Sequence, residues 1–184
     1  SFIQSKMFHA GVTCSDCHEA HTLKLRAPGD QVCLGCHAAD RFASEKHHHH
    51  KPEGEGARCA ECHMPETTYM VVDPRRDHSI RIPRPDLSDS LGTPNACTRC
   101  HADQTSSWAA GQVREWYGEP VTGYQDFAGA LHAARSGAPD GAAQLFDLLG
   151  RGEQPAIARA TALSLLAHYP APQAIQPISD ALYD

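Results

Sequence analysis

Apolar residues recur at a helical spacing from residue 103 to the end of this 184-residue chain. In stretches such as "TSSWAAGQVREWY" and "PAIARATALSLLAH", they recur three and four positions apart, as on the buried face of an amphipathic helix. The pattern predicts five helices, at about 105–117, 123–135, 140–149, 155–168 and 172–183. We place Thr122 and Gly137 at the two ends of the second helix, Gly150 after the third, and Pro155 in the first turn of the fourth.

The connections between these helices are short, which predicts antiparallel neighbours. The segment "PAIARATALSLLAHYPAPQAIQPISDAL" resembles a HEAT-type repeat, with small residues on the packing faces and a proline-rich turn. Repeats of this kind need neighbours and a capping end. Because the chain stops just after its last helix, we expect the solenoid to continue in a longer gene product or to pack on a neighbouring subunit.

Residues 1 to 101 show no such periodicity. They hold all eight cysteines and 11 of the 13 histidines, while Pro/Gly groups such as "APGD" and "KPEGEG" indicate loops. We therefore expect two domains: a loop-rich one over 1–103, with short helices and almost no β-structure, and an all-α helical-repeat (HEAT/TPR-like) one over 104–184.

The cysteines form four pairs, and a histidine follows each pair: "CSDCH", "CLGCH", "CAECH" and "CTRCH". C-x-x-C-H attaches c-type haem, because two thiols at this spacing reach the two vinyl groups of one porphyrin and the histidine lies under the iron. Zinc could also use cysteine pairs, but it needs no histidine after every second cysteine. We predict four covalent haem c groups held by Cys14, Cys17, Cys33, Cys36, Cys59, Cys62, Cys97 and Cys100, with His18, His37, His63 and His101 as proximal iron ligands. This multihaem cytochrome c segment leaves about 25 residues per haem, too few to bury an apolar core of its own, so the haems would supply the core.

Nine further histidines could supply the distal ligands. His132 and His168 lie in the helical region and are expected to be ordinary surface or core residues. The run "KHHHHK" at 46–51 is internal and precedes "CAECH", so we interpret it as native ligand sequence rather than as a purification tag. The predicted distal ligands are His9, His21, His78 and one or two of His47, His48 and His50.

Four arginines, Arg75, Arg76, Arg81 and Arg84, surround His78 in the loop between the third and fourth motifs. Guanidinium groups bind carboxylates in bidentate fashion, so these residues are predicted to bind haem propionates. The alternative is a solvated basic loop.

The overall charge is −6, and the isoelectric point is near 6.1. This argues against nucleic acid as a partner, since a nucleic-acid interface needs a basic surface. No apolar run is long enough to span a membrane, and the first residues do not form a signal peptide. Haem c is attached outside the bacterial cytoplasm, so we expect an exported, periplasmic or extracellular protein in mature form.

The segments "GVTCSDCHEAH", "TYMVVDPRRDHSIRIPRPDLS" and "LGTPNACTRCH" together resemble secreted bacterial tetrahaem cytochromes with C-terminal TPR- or HEAT-like repeats. More distantly, "GVTCSDCH" and "CHMP" resemble the haem segments of pentahaem nitrite reductases and of the tetrahaem cytochrome of hydroxylamine oxidation. In this family the third place of the histidine run is aromatic, which implies that His49 is not a ligand.

The resemblance and the motifs together predict an electron-transfer protein rather than an enzyme. Its partners would be redox proteins, other cytochromes, or copies of itself in a head-to-tail filament. The alternative is a multihaem oxidoreductase acting on nitrogen oxyanions or hydroxylamine, which would need one open iron position.

Overall fold

The structure is a computed structural model that describes residues 1–119, 125–169 and 179. Helices dominate these residues, and strand is confined to one short hairpin, as the sequence predicted. The helices are α1 (Lys6–His9), α2 (Cys14–Cys17), α3 (Gln31–Leu34), α4 (Ala39–Phe42), α5 (Glu45–His48), α6 (Cys59–His63), α7 (Pro85–Leu91), α8 (Cys97–Cys100), α9 (Ser106–Tyr117), α10 (Phe127–Arg135), α11 (Gly141–Leu149) and α12 (Ala156–Leu166). Two 3₁₀ turns lie at Phe2–Gln4 and Glu55–Ala57.

A helix of four or five residues lies at each of the four CxxCH motifs, namely α2, α3, α6 and α8. Local hydrogen bonds begin the first of them: Asp16 Oδ2 accepts from the Thr13 backbone N–H at 2.7 Å and from the Thr13 hydroxyl at 2.9 Å. Helices this short are not stable alone, so contacts with the rest of the molecule must hold them.

The hairpin pairs β1 (Glu66–Tyr69) with β2 (Asp73–Arg76) in antiparallel register. Its turn places Met70 and Val71 in the left-handed region, at φ +48° and +74°, and Val71 is 90% exposed. At its base, Arg76 Nη2 donates to Glu61 Oε1 at 2.5 Å, which joins the hairpin to α6. The hairpin thereby leads the chain from the third motif to the loop that carries His78.

The apolar core lies between α10, α11 and α12. Leu145 and Leu148 of α11 pack there with Leu131 of α10 and with Ala162 and Leu166 of α12. Helices α11 and α12 lie where the sequence predicts the third and fourth helices. The second begins at Phe127 rather than at 123, and Asp126 is its N-cap. Thr122 and, except for residue 179, the predicted helix at 172–183 lie outside the described residues.

Helix α9 begins where predicted, with the Thr105 hydroxyl oxygen accepting a hydrogen bond from the Trp108 N–H at 3.1 Å. It packs along α7, and the Ser107 hydroxyl donates to Asp89 at 2.7 Å. The helix that opens the predicted repeat region therefore contacts the motif-bearing segment, and its C-terminal end lies beside the histidine run. No helix among the described residues has the length and apolar character needed to cross a membrane.

Candidate haem-binding site

Three of the four motif histidines face a second histidine. The ring centroids are 6.2 Å apart for His18 and His78, 6.1 Å for His63 and His47, and 6.1 Å for His101 and His50. The His47 and His63 rings are nearly parallel, at 8°. Within the described part of the chain, no three His, Cys, Asp or Glu side chains converge as ligands of a bare metal ion. The histidines form facing pairs instead.

This spacing can be tested against what a haem iron requires. Imidazole–metal bonds are about 2 Å long, so two imidazoles that share one metal through Nε2 have ring centroids roughly 6 Å apart. The three pairs meet this requirement, and each includes the histidine of a CxxCH motif. The spacing of these pairs therefore fits a haem iron that each pair would hold at three of the motifs.

Four of the six paired rings are each held in place by a hydrogen bond from Nδ1. Nδ1 of His18 bonds the Leu23 carbonyl at 2.8 Å, Nδ1 of His63 the Arg81 carbonyl at 2.7 Å, and Nδ1 of His78 the Arg76 carbonyl at 2.9 Å. Nδ1 of His50 likewise bonds the carbonyl of His48. A carbonyl only accepts, so each Nδ1 must carry a proton, and in the neutral imidazole Nε2 is then the nitrogen that can bind a metal. Histidines that bind metals in proteins typically have such partners.

The run 46–51 divides its histidines between two motifs. His47 lies in α5 and faces the third motif, whereas His50 follows the helix and faces the fourth. Burial, reinforced by the neighbouring His63, lowers the pKa of His47, which favours the neutral imidazole that a metal needs. The Nδ1 of His48 accepts from the His50 backbone N–H at 3.2 Å, and among the described residues no ring contact joins His48 to a motif histidine.

The histidine of the second motif has different surroundings. In the described residues its ring neighbour is Phe42, edge-on at 5.2 Å, and Phe42 also contacts His47 at 5.2 Å. The structure does not bring His9 or His21 across from His37. The His9 ring contacts Phe8 at 5.6 Å, and His21 is exposed.

Successive motifs are also joined through their cysteine-bearing helices. The Cys59 N–H of α6 donates to Asp30 Oδ1, the N-cap of α3, at 3.1 Å. The neighbouring Cys59 thiol lowers the pKa of Cys33 to about 7, and the Cys33 thiol in turn raises the pKa of Cys59. Burial raises the pKa of Cys62 to about 11. The second and third motifs therefore lie side by side.

All four predicted propionate-binding arginines are paired with carboxylates. Arg75 and Arg81 are largely exposed and pair with Asp73 and Asp77, respectively. Arg76 and Arg84 are less exposed. Arg76 pairs with Glu61, and Arg84 pairs with Asp86 and Asp126. The pairing of Arg84 joins α7 to the start of α10.

Several aromatic residues near the site were not singled out from the sequence. The Trp108 ring lies 5.0 Å from His101, the Trp116 ring is stacked on His49 at 4.2 Å, and the Tyr117 ring lies 6.4 Å from His47. The available signal was the concentration of two tryptophans and a tyrosine on the one helix that directly follows the last motif. His132 and His168 are exposed on the helical region, away from these pairs.

Residues 6–42 match the family model described as a doubled CXXCH motif. The match spans the first two motifs and supports a multihaem c-type cytochrome. Neither the comparison with curated proteins nor that with solved structures gave a significant match.

Proposed function

We propose that this protein transfers electrons through four covalently attached haem c groups. The facing histidine pairs carry the proposal, because each pair would hold the iron of one haem, attached at Cys14/Cys17, Cys59/Cys62 or Cys97/Cys100. Each bound haem would supply a reversible one-electron iron couple. Histidine on both faces leaves no iron position for a substrate, which suits electron transfer rather than catalysis.

The contacts between motifs support a relay from the second motif through the third to the fourth. The Asp30–Cys59 hydrogen bond joins the second and third motifs, and the histidine run spans the third and fourth. We propose that this unit includes residues 1–103 and that a helical, HEAT/TPR-like unit follows over 104–184. The exposed Arg75 and Arg81 are the best placed of the four arginines to exchange their carboxylate partners for propionates.

For the haem held by His37 we propose His9 or His21 as the sixth ligand. The second candidate function rests on the surroundings of His37, whose ring neighbour among the described residues is Phe42 and not a histidine. If neither histidine binds, that iron is open, and a haem oxidoreductase becomes the better assignment. His9 could also bind the iron of a neighbouring copy, as the repeat of a filament would require.

Haem counting and spin state test the proposal in native material from the periplasmic or extracellular fraction. Intact mass and a pyridine haemochrome assay should give four haems per chain, and electron paramagnetic resonance should show low-spin iron throughout. Three low-spin haems and one high-spin haem would favour the oxidoreductase, and fewer than four haems would contradict the proposal. Light scattering on the same sample distinguishes a single chain from a filament.

A further inference from the structure

His49 occupies the bend that separates the two ligands of the histidine run. It is the C-cap of α5, its N–H donates to the Glu45 carbonyl at 2.8 Å, and its backbone is left-handed at φ +54° and ψ +28°. This bend directs His47 to the third motif and His50 to the fourth. Left-handed backbone is unfavourable for a residue with a side chain, so surrounding contacts must hold it.

The end of α9 supplies those contacts. The Trp116 indole lies 4.2 Å from the His49 imidazole with an angle of 7° between the ring planes. The Tyr117 ring approaches the same imidazole edge-on at 5.6 Å, and its hydroxyl donates to the His47 carbonyl. Two consecutive residues of α9 therefore contact the bend at His49, and one of them also contacts His47, two residues before it.

We propose that Trp116, through the His49 ring, is a positioning residue for two distal ligands at once, His47 and His50. This rests on the proposed function, since it assumes that these two histidines bind iron. His49 itself binds no iron, and its ring transmits the position of α9 to the backbone between the two ligands. Weakening this contact therefore perturbs two haems together and leaves the haem held by His18 and His78 unchanged.

Three variants of the full-length holoprotein separate the ring contact from the backbone. His49→Gly keeps a residue suited to left-handed backbone but removes the ring. His49→Phe keeps a stacking ring without a ligand atom. Trp116→Leu leaves the run itself unaltered and removes the partner. The readouts are the high-spin signal in electron paramagnetic resonance and the reduction potentials of the individual haems.

We expect the high-spin signal of His49→Gly and Trp116→Leu to rise several-fold above wild type and to arise from two haems whose potentials increase. His49→Phe should match wild type. A wild-type spectrum in His49→Gly would overturn the proposal, and so would a high-spin His49→Phe, since a stacking ring would then not suffice to place the two ligands. If Trp116→Leu does not fold, the two His49 variants still decide. Failure of the proposed function is distinct, because wild type itself would then lack low-spin haems.

Discussion

At the residue scale, His50 depends on a neighbour that has no side chain. A methyl group on Gly56 would lie 2.3 Å from Cδ2, 2.6 Å from Cγ and 2.8 Å from Nε2 of the His50 ring. The backbone of Gly56 is not in the left-handed region, so this glycine is needed for space rather than for conformational freedom. Gly56 is therefore a positioning residue for His50, which is a proposed iron ligand.

Gly56→Ala should displace the His50 ring and raise the high-spin signal of the haem held by His101, because the ring is the movable partner in the clash. Absorption and paramagnetic resonance spectra measure the change. Gly129→Ala in α10 is the matched control, since a methyl group there meets nothing within 4 Å. It should leave the spectra unaltered and stabilise the fold by up to about 1 kcal/mol. A low-spin Gly56→Ala protein would show that His50 is not a ligand in this position.

Residue roles differ in how visible they are in the sequence. The proximal histidines follow from the motif, because the spacing of the thiols dictates where the imidazole must be. The proposed choice of His47 and His50 over His48 depends on a left-handed bend at His49, which a histidine signals far less strongly than a glycine does. The acceptors of the Nδ1 protons are backbone carbonyls. Every residue has one, so the sequence cannot predict which carbonyl accepts.

At the scale of elements, Arg84 joins the loop-rich segment to the helical core. Its side chain is 16% exposed, and it bonds Asp86 within α7 through Nη2 at 2.7 Å and lies 3.7 Å from Asp126, the N-cap of α10. The hydrogen bond from Arg84 lowers the pKa of Asp86. This pairing links Arg84 to the start of α10 at Phe127, although the Asp126 side chain makes no capping hydrogen bond to that helix.

Arg84→Gln should lower the free energy of unfolding by about 1–3 kcal/mol at pH 7, because it leaves half-buried carboxylates without their cation. Asp86 holds fewer protons when folded, so its stabilising contribution is complete above the usual carboxyl pKa of about 4 and is lost as the pH falls through the lowered value. The difference between wild type and variant, measured by thermal unfolding, should therefore shrink in acid.

The exposed pair of Arg75 and Asp73 is the control, since Arg75→Gln should change stability by no more than about 0.5 kcal/mol. A difference for Arg84→Gln that persists unchanged in acid would contradict the assigned pairing. A shifted haem potential at unchanged stability would instead support the propionate role of Arg84.

At the scale of the whole molecule, composition and contacts suggest different limits for the motif-bearing part. The last cysteine is Cys100, which predicts a boundary near 103. Helix α9 nevertheless packs on α7, and its aromatic residues reach His49 and His101. Composition records where the haem attachment residues end, whereas packing records which elements hold their ligands in place. The first limit can be seen in the sequence, whereas the second can be seen only in the three-dimensional structure.

Two truncated chains make this difference measurable. A chain ending after Asp103 and one ending after Glu119 contain all four motifs, so both should carry the same number of haems. We expect a high-spin signal only in the shorter chain, because it lacks Trp108, Trp116 and Tyr117. Identical spectra would place the functional boundary at 103 and leave α9 without a role at the haems.

The facing pairs are His18–His78, His47–His63 and His50–His101. They are interleaved along the chain, because His50 lies between the two members of each of the other pairs and His101 lies beyond both. Every peptide bond between residues 18 and 101 therefore lies within the span of at least one pair. The exposed hairpin tip at Met70 and Val71 is the kind of site that proteases cut first. With the proposed irons in place, a cut there would leave two fragments connected by two iron–histidine links, and the nicked protein would remain one particle until its coordination is broken.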